Sequence, residues 1–200
     1  SVEIPVVGLE EHCVEKSYQP TVHFDCYGTL GRAFGPNLDR VVDYLVRLEE
    51  AISPMSLQVE SPVEMESQSA QITALGYLKA TLSKRGSDVI LIADEWCNTL
   101  DDVIRFAEAD AVHMIQIKMP DLGVITQSAR AVLECKRRGL MAYLGGSCNE
   151  TDLNARNAVH VAIATAADQV LARPGMGVDE GVSIMRNEES RIRTILRHQV

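Results

Sequence analysis

Three carboxylates close three apolar runs of this sequence. Asp25 follows Thr21-Val22-His23-Phe24, Glu60 follows Ser56-Leu57-Gln58-Val59, and Asp94 follows Val89-Ile90-Leu91-Ile92-Ala93, so the acids stand 35 and 34 residues apart. If the runs are consecutive parallel strands, the acids converge at one end of the sheet. Three hard anionic oxygens, with room left for water and substrate oxygens, suit Mg2+. Each acid taken singly is as well explained as the cap of the helix that follows it. All three together, from consecutive strands, favour metal binding.

A fourth apolar run ends in Gln116-Ile117-Lys118. Strand alternation turns Gln116 and Lys118 to one side and Ile117 to the other. A lysine projecting inward at a strand end, with carboxylates and a cation nearby, can be tuned towards a general base. The plainer reading is a lysine that snorkels at a sheet edge. The next run leads into Gly145-Gly146-Ser147-Cys148-Asn149. Two glycines let a backbone approach a ligand, and amides exposed before a helix suit a carboxylate. Cys148 as a nucleophile lacks a base at a telling spacing, since His113 and His160 stand in no such relation to it, and a thiol lining the substrate or the packing fits better. Trp96 reads as a wall or packing residue. The stretch 173–177 reads equally as mouth lining or plain loop, and His23 as a satisfied polar histidine.

These residues need elements to position them, and the chain alternates short β-rich runs with longer amphipathic ones. Strands are expected at 21–25, 56–60, 88–94, 112–118, 140–144 and 169–172, with 3–7 as a possible seventh. Helices are expected at 37–51, 64–83, from Asn98 or Thr99 to 107, and at 120–138, 149–166 and 186–197. The unbroken Val/Ile/Leu run before Asp94 is what a strand buried on both faces requires. Strand then helix, repeated, marks βα units around a parallel sheet. A closed barrel needs eight strands and about 250 residues. By length alone an open doubly wound sheet fits better, and the pattern does not choose between them.

Composition narrows the function classes. The 200 residues carry 28 acids against 19 Lys plus Arg, a formal net charge of −9, with 46% apolar and 24% charged residues. That excludes wholesale disorder and argues against nucleic acid, whose phosphates draw on clustered cations. The basic runs at 136–138 and 191–197 read as solvated helix ends. No apolar run reaches the roughly 18–20 residues that cross a bilayer. Nor does a basic segment with an apolar stretch suggest a signal peptide, although the start at Ser1 rather than Met leaves upstream residues open. Five widely spaced cysteines, with no Cys-x-x-Cys pair, point to reduced thiols in a cytoplasmic protein.

The runs His23-Phe24-Asp25-Cys26-Tyr27-Gly28-Thr29-Leu30-Gly31, Ala93-Asp94-Glu95-Trp96-Cys97-Asn98, Gln116-Ile117-Lys118-Met119-Pro120-Asp121-Leu122-Gly123 and Gly145-Gly146-Ser147-Cys148-Asn149-Glu150-Thr151-Asp152 together resemble methylaspartate ammonia-lyase, a family of the enolase superfamily. The resemblance runs in order from about Thr21 to the C-terminus and includes 174–181. It implies an α/β fold, the (β/α) TIM-type barrel of that superfamily, here incomplete: about six of eight strands, with the N-terminal cap domain absent. Residues 1–200 are then a single C-terminal barrel domain or fragment, whose residues 1–20 match the family poorly.

The activity implied by the resemblance is elimination of ammonia from 3-methylaspartate, a small amino-dicarboxylic acid, to give mesaconate. By the family pattern Asp25, Glu60 and Asp94 hold Mg2+, Lys118 takes the proton from C3, and Gln116, Ser147 and Cys148 contact substrate. Ser147 stands where the family usually has Thr, a change that keeps the hydroxyl. A monovalent cation such as K+ is also typical, with no residues here to assign to it. A histidine and a glutamine of the family site precede the matching region, and His23 does not match that histidine's context. A homodimer, or association with a chain supplying the N-terminal portion, is expected in the cytoplasm. Two other readings stay open: another superfamily activity, such as a dehydratase or racemase on a carboxylate, and an inactive partial barrel serving as a subunit or binding protein. The last would leave a strand edge to be covered.

Overall fold

A computed structural model of the chain describes residues 18–147, 150–172 and 175–198. Contacts divide it into two compact units, Ser1–Ile92 and Ala93–Val200. The first unit, described from residue 18, contains β1 (Thr21–Asp25), α1 (Thr29–Phe34), α2 (Leu38–Ile52), β2 (Ser56–Glu60), α3 (Gln68–Lys84) and most of β3 (Ile90–Ala93). Strands β1 and β2 are parallel, with Asp25 opposite Glu60 on the final rung; β2 and β3 are parallel from Gln58↔Ile90 to Glu60↔Ile92. Two of the candidate acids thus share one rung of the sheet.

The helices of this unit cover the strands with narrow apolar stripes. Asn37 caps α2 by accepting the Arg40 N–H, and Val41, Val42, Leu45, Leu48 and Ile52 form its buried face. Ser67 caps α3, so the helix begins at Gln68 and the four preceding residues stay in the loop after β2. Leu75 and Leu78 of α3 are wholly buried, each worth roughly 2 kcal/mol of transfer free energy. Gln71 is buried too, and its side chain spans that loop: Oε1 accepts the Met65 N–H at 2.8 Å and Nε2 donates to the Val63 carbonyl at 2.8 Å. A polar residue on the buried face therefore fixes the loop that follows Glu60.

The second unit contains α4 (Leu100–Glu108), β4 (Met114–Lys118), α5 (Met119–Leu122), α6 (Ile125–Arg137), β5 (Met141–Gly145), α7 (Asp152–Thr165), β6 (Gln169–Val170) and α8 (Val178–Arg197). Strands β4 and β5 are parallel, with Gln116 opposite Tyr143 and Lys118 opposite Gly145; β5 pairs in turn with β6. A reciprocal Thr99–Asp102 cap starts α4. The helix expected at 120–138 is two helices, because Gly123 adopts φ 82 and breaks the path between α5 and α6. The last helix begins at Val178, well before the expected 186, with Asp179 and Glu180 in its first turn, where acids favour the helix dipole. Ala155, Val159 and Met185 hold α7 and α8 together. The strand candidate at 3–7 lies outside the described residues. No helix among the described residues is long and apolar enough to cross a membrane.

Candidate active site

In the first unit the end of β1 is sewn to the end of β2. The Cys26 N–H donates to the Glu60 carbonyl at 2.9 Å, and the Gly28 N–H to the Ser61 carbonyl at 2.7 Å. Three residues in the left-handed region shape these two turns: Tyr27 at φ 46 and Gly28 at φ 70 after β1, and Ser61 at φ 42 after β2. Gly28 is required twice over, since a Cβ there would also lie 2.6 Å from the Glu64 Cβ. Asp25 is exposed, and its Oδ1 accepts the Tyr27 N–H at 3.2 Å. Glu60 is 1% exposed, with its Oε2 2.8 Å from the His23 Nε2. His23 is the satisfied polar histidine expected from its type. Burial first, then the charges of Asp25 and Glu60, push the Cys26 thiol up to about 11, so it is no nucleophile at neutral pH.

In the second unit Asp94 and Lys118 meet. The Lys118 Nζ lies 2.8 Å from the Asp94 Oδ1, and both side chains are largely buried. Burial works to lower the Lys118 pKa, but its hydrogen bond to Asp94 and the charges of Asp94, Glu95 and Asp121 outweigh that and raise it above the ordinary lysine value. Beyond Asp94, Trp96 takes φ 68 in a turn closed by the Cys97 N–H on the Asp94 carbonyl at 3.2 Å. A bulky residue in that region is a genuine outlier, of a kind that gathers at functional sites. Burial pushes the Cys97 thiol well above its ordinary range.

Gln116 shares the Lys118 strand and is buried, with its Nε2 donating to the Tyr143 hydroxyl at 2.6 Å. The two glycines at the end of β5 lie against this chain's own side chains. A Cβ on Gly145 would lie 2.5 Å from the Gln116 Cγ, and one on Gly146 would lie 2.5 Å from the Glu150 Oε1. The same Glu150 oxygen accepts the Ser147 N–H at 3.0 Å. The Ser147 amide is thus already donated to a buried glutamate. Cys148 lies outside the described residues, as do Arg173 and Pro174 of the possible mouth loop.

Each unit therefore gathers part of the expected set: Asp25 and Glu60 with His23 in the first, and Asp94, Lys118 and Gln116 with Tyr143 in the second. Among the described residues, no group of three or more His, Cys, Asp and Glu side chains is gathered as a metal cage. His23, Tyr143 and Glu150 were not read as site residues from sequence. Alternation with Asp25 was a signal for His23, whereas Tyr143 meets Gln116 only through the pairing of two strands.

Known proteins extend this geometry. The family model described as "Methylaspartate ammonia-lyase C-terminus" matches residues 9–198. Methylaspartate ammonia-lyase 1 of Carboxydothermus hydrogenoformans is 54% identical over 92% of this chain, which spans 44% of that protein. The Mg-complex of beta-methylaspartase from Clostridium tetanomorphum is similar over 94% of this chain and 45% of its own, at 44% identity and a TM-score of 0.89. Methylaspartate ammonia lyase of Citrobacter amalonaticus, solved with (2S,3S)-3-methylaspartic acid, is similar over 94% of this chain and 46% of its own, at 42% identity and a TM-score of 0.90. More remote structures, at 20% identity and a TM-score of 0.59, share the fold alone. That fold is the (β/α) TIM-type barrel of the enolase superfamily, and the described residues contribute six of its strands. The chain spans less than half the length of the curated relatives it matches.

Proposed function

Since the chain belongs to the methylaspartate ammonia-lyase family, we propose that it carries the base and the metal ligands of a site that eliminates ammonia from 3-methylaspartate to give mesaconate. The observation that carries this reading is the buried contact of Lys118 with Asp94 at 2.8 Å, two residues from Gln116 on one strand face. Lys118 is the base for the proton on C3. It can accept that proton only as the free amine. Gln116 and the Ser147 hydroxyl bind and orient the substrate, and Cys148 joins them in this reading. The bond from C2 to nitrogen breaks as the C3 electron pair forms the double bond, and the leaving group is ammonia.

Asp25, Glu60 and Asp94 are the proposed Mg2+ ligands. Their chemistry fits: all three donors are hard carboxylate oxygens, at or next to the ends of β1, β2 and β3. What the ion supplies when bound is stabilisation of the charge that develops on the carboxylate beside C3. A homodimer, or association with sequence matching the rest of the relatives' length, belongs to this proposal. So does a cytoplasmic location, with which the free buried thiols of Cys97 and Cys135 agree.

The test is incubation with 3-methylaspartate, Mg2+ and K+, with the chain alone and with a second chain matching the N-terminal part of its relatives. Mesaconate is followed by its ultraviolet absorbance. We expect mesaconate in the complemented mixture and its loss with Lys118→Ala. Absence of mesaconate under both conditions would overturn the proposal.

A further inference from the structure

We infer that His23 is a positioning residue, whose ring N–H holds the Glu60 carboxylate in place for Mg2+. The inference rests on the reading of Glu60 as a metal ligand and deepens it. A glutamate side chain turns about several bonds, and its terminal torsion is broad, so a carboxylate at a strand end has no single orientation of its own. Binding an ion stops that freedom, at a smaller cost where a hydrogen bond has already stopped it.

The first unit supplies that bond through its strand pairing. In the β1–β2 register His23 stands opposite Gln58, and Asp25 opposite Glu60. Alternation turns His23 and Asp25 to one face of β1, and Gln58 and Glu60 to one face of β2. The contact of the His23 Nε2 with the Glu60 Oε2, at 2.8 Å, is therefore a diagonal one across a shared face. The ring reaches the carboxylate from the rung before, while Asp25 stands opposite Glu60 on the last rung. As a metal ligand Glu60 is a carboxylate, which only accepts, so the His23 Nε2 carries the hydrogen. The Glu60 side chain is 2% exposed and that of His23 17%, so water has little access to replace the imidazole. Contact is made at one oxygen, and a carboxylate has two, each able to take more than one partner. A donor at Oε2 thus holds the group without using its whole capacity.

The test compares His23→Leu, which removes the donor, with His23→Gln, whose side-chain NH2 donates from a similar reach. Mg2+ is titrated into each full chain by calorimetry, below the onset of its thermal unfolding, and Glu60→Ala identifies the site. We expect the Mg2+ dissociation constant to rise about 10- to 100-fold in His23→Leu, as for other partners that orient metal ligands, and most of that loss to be restored in His23→Gln. An unchanged or tighter Mg2+ constant in His23→Leu would overturn the inference. So would equal weakening in both variants, which makes ring shape rather than a donor the cause, or a variant that does not fold, which makes the contact structural only. A parent chain that binds no Mg2+, or one whose affinity survives Glu60→Ala, would instead overturn the metal-ligand reading of Glu60, and this inference with it.

Discussion

Replacing Gly145 by alanine tests the packing on which Gln116 depends. The new Cβ would lie 2.5 Å from Cγ and 2.7 Å from Cδ and Nε2 of Gln116, where ordinary contact is 3.4–4 Å. Gln116 would have to retreat by about 1 Å, in a region packed as densely as a crystal. It is 5% exposed and tied to Tyr143, so it has nowhere to retreat without giving up that bond. Overpacking costs about 1–3 kcal/mol, and the lost hydrogen bond about 1 kcal/mol. Against these stands a gain of about 0.4–1 kcal/mol, because alanine restricts the unfolded chain. The net expectation is a loss of about 1–3.6 kcal/mol, the difference of those figures. Urea unfolding followed by Trp96 fluorescence measures it, since this is the chain's single tryptophan and belongs to the same unit as Gly145. In a Gln116→Ala background the obstacle is gone, and the same glycine replacement should cost less than about 0.5 kcal/mol, the resolution of such a cycle. Equal costs in the two backgrounds, or a loss in the parent below about 0.5 kcal/mol, would refute the steric argument.

Other perturbations separate the remaining causes. Glu188 joins α7 to α8, and its hydrogen bonds from Arg191, His160 and Arg156 hold its carboxyl down at about 2, against an ordinary 4.5. A depressed folded value gives stability that is complete above about 4.5 and is lost as pH falls towards 2. Glu188→Gln should flatten that acid limb in a circular-dichroism titration, and an unchanged limb would remove Glu188 as its source. At Trp96, where φ is 68, glycine should be more stable than alanine by about 1 kcal/mol in thermal melts, the reverse of their usual order. Lys118→Met leaves Asp94 buried without its cation, at a cost of about 1–3 kcal/mol after discounting the buried-pair figure for partial exposure. Added Mg2+ should raise the melting temperature of that variant more than that of the parent, and an equal rise in both would count against Asp94 as a ligand.

The strand–helix alternation was legible because its signals are local. The run from Val89 to Ala93 has no polar residue, and Asn37, Ser67, Thr99 and Thr151 each cap the helix that follows. Where the reading slipped, the cause was a signal that two structures share. The apolar period continues from Leu122 past Gly123 to Ile125, so periodicity alone could not show that the glycine's φ of 82 breaks the helix. In α8 the first two turns mix Asp179 and Glu180 with Val182 and Met185, which reads as loop until packing against α7 gives the stripe a purpose. The side facing of Gln116 and Lys118 follows from alternation within one strand. Tyr143 and Glu150 do not follow from it, because their contacts depend on strand register and on the path of a glycine loop, neither of which has a local residue code.

Why the acids were legible and their partners were not has one physical cause. A carboxylate at a strand end is visible as a break in an apolar run, but burying it creates a demand that any nearby donor can meet. Glu60 meets it with His23, two residues before Asp25 on the neighbouring strand, and Asp94 meets it with Lys118. Asp25, exposed, accepts the Tyr27 amide. The two buried acids each meet a side chain that can carry positive charge, an imidazole at Glu60 and an ammonium ion at Asp94. The partner of Asp94 is itself the residue proposed as the base, so replacing Lys118 removes the cation of a buried acid together with that base.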